Sequence, residues 1–387
     1  MLQKIMTWIK SEKVFVIAAV FAVLTMFFVP PSKDYIGYID FRVLALLFSL
    51  MAVIAGINGE GVFLFLSEKL FQRVKTVRGM CYVLILLCFF TSMWITNDVA
   101  IITFVPFAVL MLKQSGQEKY MIYVIIMQTI AANLGSMLTP VGNPQNLYLY
   151  TFYHLTEREF LAVTIPLVLA AFLVLILINL FIKKEPLQLL TDMGTDRTVR
   201  DEINANKDKV ILSGNTIHIM AYFFLFLLCL GAVLHLIDYR LVLAITILVI
   251  GVMERKILKC VDYTLLLTFI CFFIFSGNLG NIPLIHNFIS NLVTNREIAV
   301  TILLSQVISN VPAAILLSNF TSDARSLIIG ANLGGLGTVI ASLASLISLR
   351  IYLKTEDSHS VKYLLYFTLA NVGMLAVLIL VRCILNL

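Results

Sequence analysis

One carboxylate lies far from every other charge in a long apolar segment. The nearest charged residues on either side of Asp98 are Arg78 and Lys113. Insertion scales put a carboxylate at the centre of a membrane helix at roughly +2.5 to +3.5 kcal/mol, a cost typical of residues that bind an ion, a proton or a partner. A second interpretation is a protonated Asp98 that caps the following helix, because Asp is a favoured N-cap residue. We favour a functional Asp98, and the two roles are compatible.

Side chains with oxygen atoms surround Asp98 in the sequence and recur in the second half of the chain. Oxygen ligands suit a small hard cation, and helix ends and unwound carbonyls complete such sites. The alternative is that Ser, Thr and Asn only bond neighbouring helices, as is common in membrane bundles. We favour that alternative for any single Ser or Thr, but we predict a binding role, with Na⁺ as ligand, for Asn97, Asp98 and Asn310. The full set is Thr96, Asn97, Asp98, Thr139 and Asn143, then Ser309, Asn310, Thr338, Ser342 and Ser345.

Two polar segments interrupt the apolar sequence, one in each half of the chain. NLGSMLTPVGNPQNL at residues 133–147 reappears in weakened form as NLGGLGTVIASLASL at residues 332–346. Proline removes a backbone donor and glycine lets the chain leave helical geometry, so each segment breaks a helix. Broken backbone survives in lipid only where it lines an enclosed cavity, and two breaks in corresponding halves indicate a transport site. The helix-breaking residues are Pro140, Gly142, Pro144, Gly334, Gly335 and Gly337.

The composition predicts an all-α polytopic membrane protein. Of 387 residues, 60% are hydrophobic and 13% are charged, whereas about 25% charged residues are usual in soluble domains. Two apolar segments, residues 79–112 and 298–320, predict re-entrant hairpins, because a half-helix of ~14 residues rises only about 21 Å across a core of ~30 Å. The predicted crossings are residues 14–30, 42–57, 120–152, 160–182, 216–236, 240–253, 263–279, 326–349 and 363–383.

A hydrophilic segment divides the chain into two halves. We predict an N-terminal repeat at residues 1–182 and a C-terminal repeat at 213–387, joined by a cytoplasmic linker at 183–212. Each repeat contains one of the two hairpins and one broken helix. The broken helices are residues 120–152 and 326–349. Matching elements are an odd number of crossings apart, so the repeats have opposite orientations. Loops rich in Lys and Arg share one side, which predicts a cytoplasmic N-terminus and an external C-terminus in the plasma membrane.

The sequence lacks the usual signatures of enzymes and metal centres. No HExxH, Walker A, GxSxG or paired-acid motif occurs, and the six cysteines have no CxxC spacing. The net charge of +6 comes from loops rich in Lys and Arg on one side of the membrane, so it does not indicate nucleic-acid binding. We predict no enzymatic activity and no cofactor other than Na⁺ or H⁺ as coupling ion. A membrane-embedded enzyme or scaffold for lipid headgroups is disfavoured, because a second intramembrane acid or a histidine cluster is missing.

These motifs resemble the ion transporter superfamily, which contains divalent anion:sodium symporters, arsenite permeases and citrate transporter-like permeases. GSMLTPVGNPQN, ending at Asn146, is similar to the broken-helix motif of that family, and the tips Thr96-Asn97-Asp98 and Ser309-Asn310-Val311 are similar to its Ser-Asn-Thr motifs. The resemblance implies an elevator-type inverted-repeat transporter and a homodimer. Carried onto this sequence, it implies ion sites at Asn97 with Thr139, Gly142 and Asn143, and at Asn310 with Ala341 and Ser342.

Two positions depart from the anion symporters. Where those proteins use the third residue of each Ser-Asn-Thr motif for the substrate carboxylate, this sequence has Asp98 and Val311. A negative Asp98 would repel a dicarboxylate, and valine cannot hydrogen-bond to one. We therefore predict a secondary active permease for a small anion or oxyacid, coupled to H⁺ or Na⁺ by alternating access in the bilayer. Sodium/proton antiport through Asp98 is the second hypothesis.

Overall fold

The chain folds into helices joined by short connections. A computed structural model describes residues 12–71, 73–187, 215–356 and 358–386. Within these ranges every regular element is a helix, and the single bridge of extended backbone joins Thr76 to Pro186. The all-α prediction is confirmed. The first residues of the predicted linker, 183–187, lie beside residues 75–77 through this bridge, and its remainder lies outside the described residues.

The helices are numbered along the described chain. The first half contains α1 (Lys13–Met26), α2 (Tyr35–Tyr38), α3 (Phe41–Gly59), α4 (Val62–Phe71), α5 (Val77–Ile95), α6 (Asn97–Gln114), α7 (Met121–Gly135), α8 (Pro144–Phe152) and α9 (Glu157–Asn179). The second half contains α10 (Thr216–Val233), α11 (Tyr239–Met253), α12 (Arg255–Leu258), α13 (Tyr263–Gly280), α14 (Pro283–Val293), α15 (Glu297–Ile308), α16 (Asn310–Ser318), α17 (Ala324–Leu333), α18 (Leu343–Tyr352) and α19 (Ser360–Leu385).

Eight helical segments among the described residues are long and apolar enough to cross a membrane. Six are α3, α5, α6, α9, α10 and α19, and two are the longer segments Glu118–Leu138 and Arg255–Gly280. Helices α1, α11, α15 and α18 are apolar but shorter. Because a bilayer core of ~30 Å is crossed by about 20 apolar helical residues, the chain is a polytopic membrane protein.

The first hairpin is longer than its sequence predicted. Its arms α5 and α6 contain 19 and 18 residues, or about 28 and 27 Å at 1.5 Å per residue. Helix α5 begins directly after Thr76, whose hydroxyl accepts a hydrogen bond from Gly79 N, and α6 continues through Pro106. The prediction of half-length arms is therefore wrong for this hairpin. The arms of the second hairpin, α15 and α16, are short, with 12 and 9 residues.

Both hairpins pack with both broken helices into one unit, which we call the core body. Helices α5 and α6 pack against α7, and α15 and α16 pack against α17. The second piece of each broken helix packs on the opposite hairpin, with α18 against α6 and α8 against α16. Glycines permit these close approaches: a Cβ added at Gly135 would lie 2.0 Å from Phe89 O, and one added at Gly334 would lie 2.4 Å from Ser305 Oγ.

Five further helices of the described chain form a second unit beside the core body, which we call the lateral helices: α1, α3, α10, α11 and α13. Helices α9 and α19 pack against α7 of the core body. Helix α1 packs against α13, and α3 packs against both α10 and α11. They meet the core body where α13 contacts α16 and α3 contacts α8. Ser276 Oγ donates to Ile315 O at 3.2 Å, and Thr103 Oγ1 donates to Asn58 Oδ1 at 3.3 Å.

Gly135→Ala tests the contact between α7 and α5. The added methyl meets a backbone carbonyl that cannot move without shifting α5, so we expect the unfolding free energy to fall by about 1–3 kcal/mol. Thermal unfolding in detergent measures the loss. The control is Gly373→Ala in α19, where an added Cβ has nothing within 4 Å and where Ala stabilises a helix by up to ~1 kcal/mol over Gly. Equal effects of the two substitutions would contradict the packing.

Candidate functional site

The two hairpin tips share an unusual backbone conformation. Thr96 has φ 72° and ψ 148°, and Ser309 has φ 74° and ψ 155°. Residues other than glycine adopt such conformations at a cost of about 1–3 kcal/mol, and they persist only where surrounding contacts fix them. Such strain is concentrated at functional sites. Each tip is followed directly by an asparagine that begins the second arm of its hairpin, Asn97 in α6 and Asn310 in α16.

Each tip is held by a carbonyl of the neighbouring helix break. Asn97 N donates to Gly142 O at 3.1 Å, and Ser309 Oγ donates to Ala341 O at 3.3 Å. Gly142 and Ala341 therefore act through their backbone. Gly142 has no room for a side chain, because an added Cβ would lie 2.1 Å from Ser136 O.

A threonine of each break reaches back to the first arm of its hairpin. Thr139 Oγ1 donates to Met93 O, three residues before the first tip. Thr338 Oγ1 donates to Gln306 O at 3.4 Å, three residues before the second tip. The threonine contact is thus the same in both halves, whereas the bond from the tip to the break uses a backbone N–H in the first half and a side-chain hydroxyl in the second.

The asparagines after the tips are buried and hydrogen-bonded. Asn97 Nδ2 donates to Asn133 Oδ1 at 3.0 Å, and Asn97 Oδ1 accepts from Asp98 N at 3.0 Å. Asn310 Nδ2 donates to Ala331 O at 3.2 Å. Among the described residues no hydrogen bond joins Asn310 to Asn97 or Asp98, so the structure does not bring the three predicted Na⁺ ligands together through direct bonds.

Asp98 carries a buried atom with no partner. Its Oδ1 is inaccessible to solvent and makes no hydrogen bond within the described part of the chain. Asp98 lies in the first turn of α6, where the preceding cap position is Thr96 and no side-chain cap bond forms. The capping interpretation of Asp98 is therefore wrong. An orphaned buried carboxylate oxygen is a strong acceptor available to a proton or a cation. Ser345 Oγ, also among the predicted residues, is likewise buried without a partner in the described chain.

The first break is closed by its own amide side chains. Asn143 is the N-cap of α8 and its Oδ1 accepts from Asn146 N at 2.9 Å, with Pro144 at the first helical position. Asn146 Nδ2 faces the carbonyls at the end of the preceding helix, at 3.3 Å from Met137 O and 3.4 Å from Thr139 O. The turn at Pro140 contains no α-helical hydrogen bonds. The side-chain amides of Asn143 and Asn146 supply hydrogen bonds to backbone groups in their place.

The second break uses a glutamine from the hairpin instead. Gln306 Nε2 donates to Gly334 O at 3.1 Å and to Leu336 O at 3.0 Å, while its Oε1 accepts from Thr338 N at 2.9 Å. Gly337 has φ +116°, and a Cβ there would lie 2.4 Å from Gln306 Oε1. Gly335 also lies close, since its added Cβ would be 2.9 Å from Asn310 Nδ2. Sequence reasoning did not single out Gln306.

Two further asparagines join the breaks of the two halves. Asn332 Oδ1 accepts from Asn143 Nδ2 at 3.2 Å, and Asn332 Nδ2 donates to Asn146 Oδ1 at 2.7 Å. Asn133 Oδ1 accepts from Ser342 Oγ at 3.0 Å, and its Nδ2 lies 3.4 Å from Gly335 O. We call Asn133, Asn143, Asn146 and Asn332 the asparagine cross-link.

Two of the predicted site residues meet through a contact that the predictions did not include. Asn97 and Ser342, predicted in different halves, both bond to Asn133 Oδ1. The signal was present in the sequence, because Asn133 and Asn332 are the first residues of the two repeated NLG segments. The sequence alone does not show which distant residues these two asparagines contact.

Comparison with known proteins identifies the family of this chain. The family described as "Citrate transporter" matches residues 2–326. The chain belongs to the citrate transporter family. It is a membrane transporter and not an enzyme, as its sequence predicted.

Two relatives match this chain over most of its length, and a third matches a shorter part. An uncharacterized transporter of Methanocaldococcus jannaschii is 32% identical over 314 residues, covering 81% of each chain. The inner membrane protein YbiR of Escherichia coli is 30% identical over 348 residues, 89% of this chain and 88% of its own. The silicon efflux transporter of Oryza sativa subsp. japonica is 30% identical over 148 residues, 38% of this chain and 30% of its own.

Asn332→Ala tests the asparagine cross-link. The change leaves Asn143 and Asn146 without their partner in the other half, and each buried unsatisfied group costs about 1–3 kcal/mol. We expect a clear fall in thermal stability that is non-additive with Asn143→Ala in a double-mutant cycle. The matched control is Asn371→Ala, a fully buried asparagine of α19 whose amide bonds only within its own helix, to Phe367 O. Additive effects at Asn143 and Asn332 would contradict the cross-link.

Proposed function

We propose that this transporter is a secondary active permease for a small anion or oxyacid, coupled to H⁺ or Na⁺ through Asp98. The observation that carries the proposal is the buried Asp98 Oδ1 without a partner, at a hairpin tip whose backbone conformation is strained. A buried carboxylate in this state requires neutralisation by a proton or a cation. Binding and release of that neutralising ion would couple its gradient to transport.

The second tip supports the choice of an inorganic or small organic substrate. At the position that matches Asp98 the chain has Val311, which offers no hydrogen bond, while Ser309 and Asn310 supply short polar groups. An ionised Asp98 disfavours a multiply charged anion in the same cavity. The citrate named in the family description is therefore a weaker candidate than an uncharged or singly charged oxyacid. Silicic acid, the form of silicon dissolved in water, is such an oxyacid.

The packing supports alternating access of the core body against the lateral helices. Each hairpin contacts both broken helices, and the asparagine cross-link ties the two breaks together, so these elements can move as one rigid unit. The contacts repeated between tip and break in the two halves favour two related repeats of opposite orientation. An elevator movement of this unit would carry the site between the two membrane faces.

The orientation and assembly follow from the same reasoning. Concentration of Lys and Arg in the predicted cytoplasmic loops supports a plasma-membrane protein with its N-terminus inside and its C-terminus outside. We propose a homodimer, as the superfamily resemblance implies, with the lateral helices as its fixed part.

Asp98→Asn tests the coupling role directly. In proteoliposomes we expect wild-type protein to accumulate one of citrate, arsenite or silicic acid under an inward Na⁺ or H⁺ gradient, and Asp98→Asn to lose this accumulation while keeping its thermal stability. The matched control is Asp323→Asn, because exposed Asp323 caps α17 through Ser326 N and asparagine caps equally well. Full coupled activity in Asp98→Asn would exclude the proposed role.

The orphaned carboxylate also favours a second candidate, sodium/proton antiport, in which Asp98 alternates between a proton and Na⁺. Its distinguishing result is proton movement driven by Na⁺ in liposomes that contain no other substrate, lost in Asp98→Asn. Accumulation of an oxyacid with no such proton movement would leave the permease as the function.

A further inference from the structure

A second group of ionisable side chains lies away from the hairpins and breaks. Glu60 follows the last residue of α3, His218 is in the first turn of α10, and Glu254 follows the last residue of α11. One ligand atom from each residue lies within 4.8 Å of the others, and His218 Nδ1 is 3.0 Å from Glu60 Oε1. The side chains of His218 and Glu60 are only 28% and 11% exposed.

The electrostatics of this cluster favour a cation. The C-terminal ends of α3 and α11 each carry a partial negative charge, so a carboxylate directly after either helix is unfavourable unless a positive charge lies nearby. Among the described residues, Glu254 has no salt bridge and Glu60 has only His218, which is charged only when protonated. Arg255 and Lys256 follow Glu254 directly in the sequence, but among the described residues the one salt bridge of this cluster is that of His218 with Glu60.

A buried hydroxyl provides a second, independent observation. Tyr222 is fully buried and its hydroxyl makes no hydrogen bond in the described part of the chain. It lies one turn after His218 on α10, with the ring centroids 6.4 Å apart, and its ring rests on Gly56, one turn before Glu60 on α3. Tyr222 therefore lies next to the helix segments that carry His218 and Glu60, and its hydroxyl has no hydrogen-bond partner among the described residues.

The structure assigns this cluster, we propose, as a zinc-type divalent metal site that joins the ends of α3, α10 and α11. One imidazole nitrogen and two carboxylate oxygens form a ligand set that Zn²⁺ accepts, with a fourth position for water. Ligands about 2.0–2.2 Å from a tetrahedral ion lie roughly 3.3–3.6 Å apart, so small side-chain rotations within the observed 4.8 Å suffice. The Tyr222 hydroxyl supplies a hydrogen bond to a metal-bound carboxylate or water.

Such a site would fix the lateral helices to one another. Helix α3 packs against both α10 and α11, and its Glu60 would share one ion with a residue from each. The ligands belong to none of the hairpins or broken helices, so the metal site is independent of the proposed coupling at Asp98.

Metal binding to the purified full-length protein tests the proposal. After EDTA has removed any bound metal and dialysis has removed the EDTA, we expect the wild type to take up one Zn²⁺ per chain from ZnCl₂, measured by elemental analysis after a second dialysis. We also expect ZnCl₂ to raise the melting temperature of the metal-free protein and MgCl₂ not to do so. Glu254→Gln is the informative variant, because the Glu254 carboxylate accepts no hydrogen bond within the described residues and its loss leaves the fold intact. We expect it and His218→Gln to abolish stoichiometric binding, and Tyr222→Phe to weaken affinity about tenfold.

The control variant is His359→Gln, since this histidine is exposed and distant in sequence from the cluster; it should bind zinc as the wild type does. Zinc uptake that is unchanged in Glu254→Gln and His218→Gln would overturn the site. So would a wild type without bound zinc, in which His218→Gln lowers stability only by breaking the pair with Glu60.

Discussion

The whole structure depends on satisfying the backbone of two helix breaks inside a membrane. At each break several carbonyl and amide groups lose their helical partners, and lipid offers none in exchange. Asn146 and Gln306 supply these bonds from their side-chain amides. Because an amide side chain must lie within about 3 Å of the groups it satisfies, the hairpin that carries Gln306 is held close against the second break. The small size of Gly334, whose added Cβ would lie 2.4 Å from Ser305 Oγ, permits that approach.

The two breaks meet this requirement with different residues. The first relies on proline and asparagine within the break, whereas the second relies on a glutamine from the neighbouring hairpin and on glycines. The two tips have similar backbone dihedral angles although different side chains support the two breaks. The residues that follow the tips can therefore differ in chemistry. Asp98 and Val311 occupy matching places after the tips, so one half of the candidate site carries an ionisable side chain and the other an apolar one.

The sequence predicted features that depend on local chemistry. The breaks at Pro140 and Gly334 and the tips at Thr96 and Ser309 follow from residue types alone. Contacts between distant segments were not predictable in this way: Asn133 and Asn332 appeared only as aligned letters, and Glu60, His218 and Glu254 come from three separate helices. The bounds of the first hairpin were predicted to within two residues, at 79–112, and the error lay in the interpretation of its arms as half-length helices. Caps and long-range amide bonds leave no periodic hydrophobic signal in the sequence.

The energetics of Asp98 are the physical basis of the role that we propose for it. The N-terminal dipole of α6 favours a carboxylate in its first turn by about 0.3–1 kcal/mol, but an ionised carboxylate in a membrane costs roughly 2.5–3.5 kcal/mol. The bond from Asp98 N to Asn97 Oδ1 involves only its backbone, and its own Oδ1 has no donor in the described chain. The dipole alone therefore leaves most of the cost of an ionised Asp98 uncompensated. A proton or a cation at this carboxylate, as we propose, would supply the remaining stabilisation.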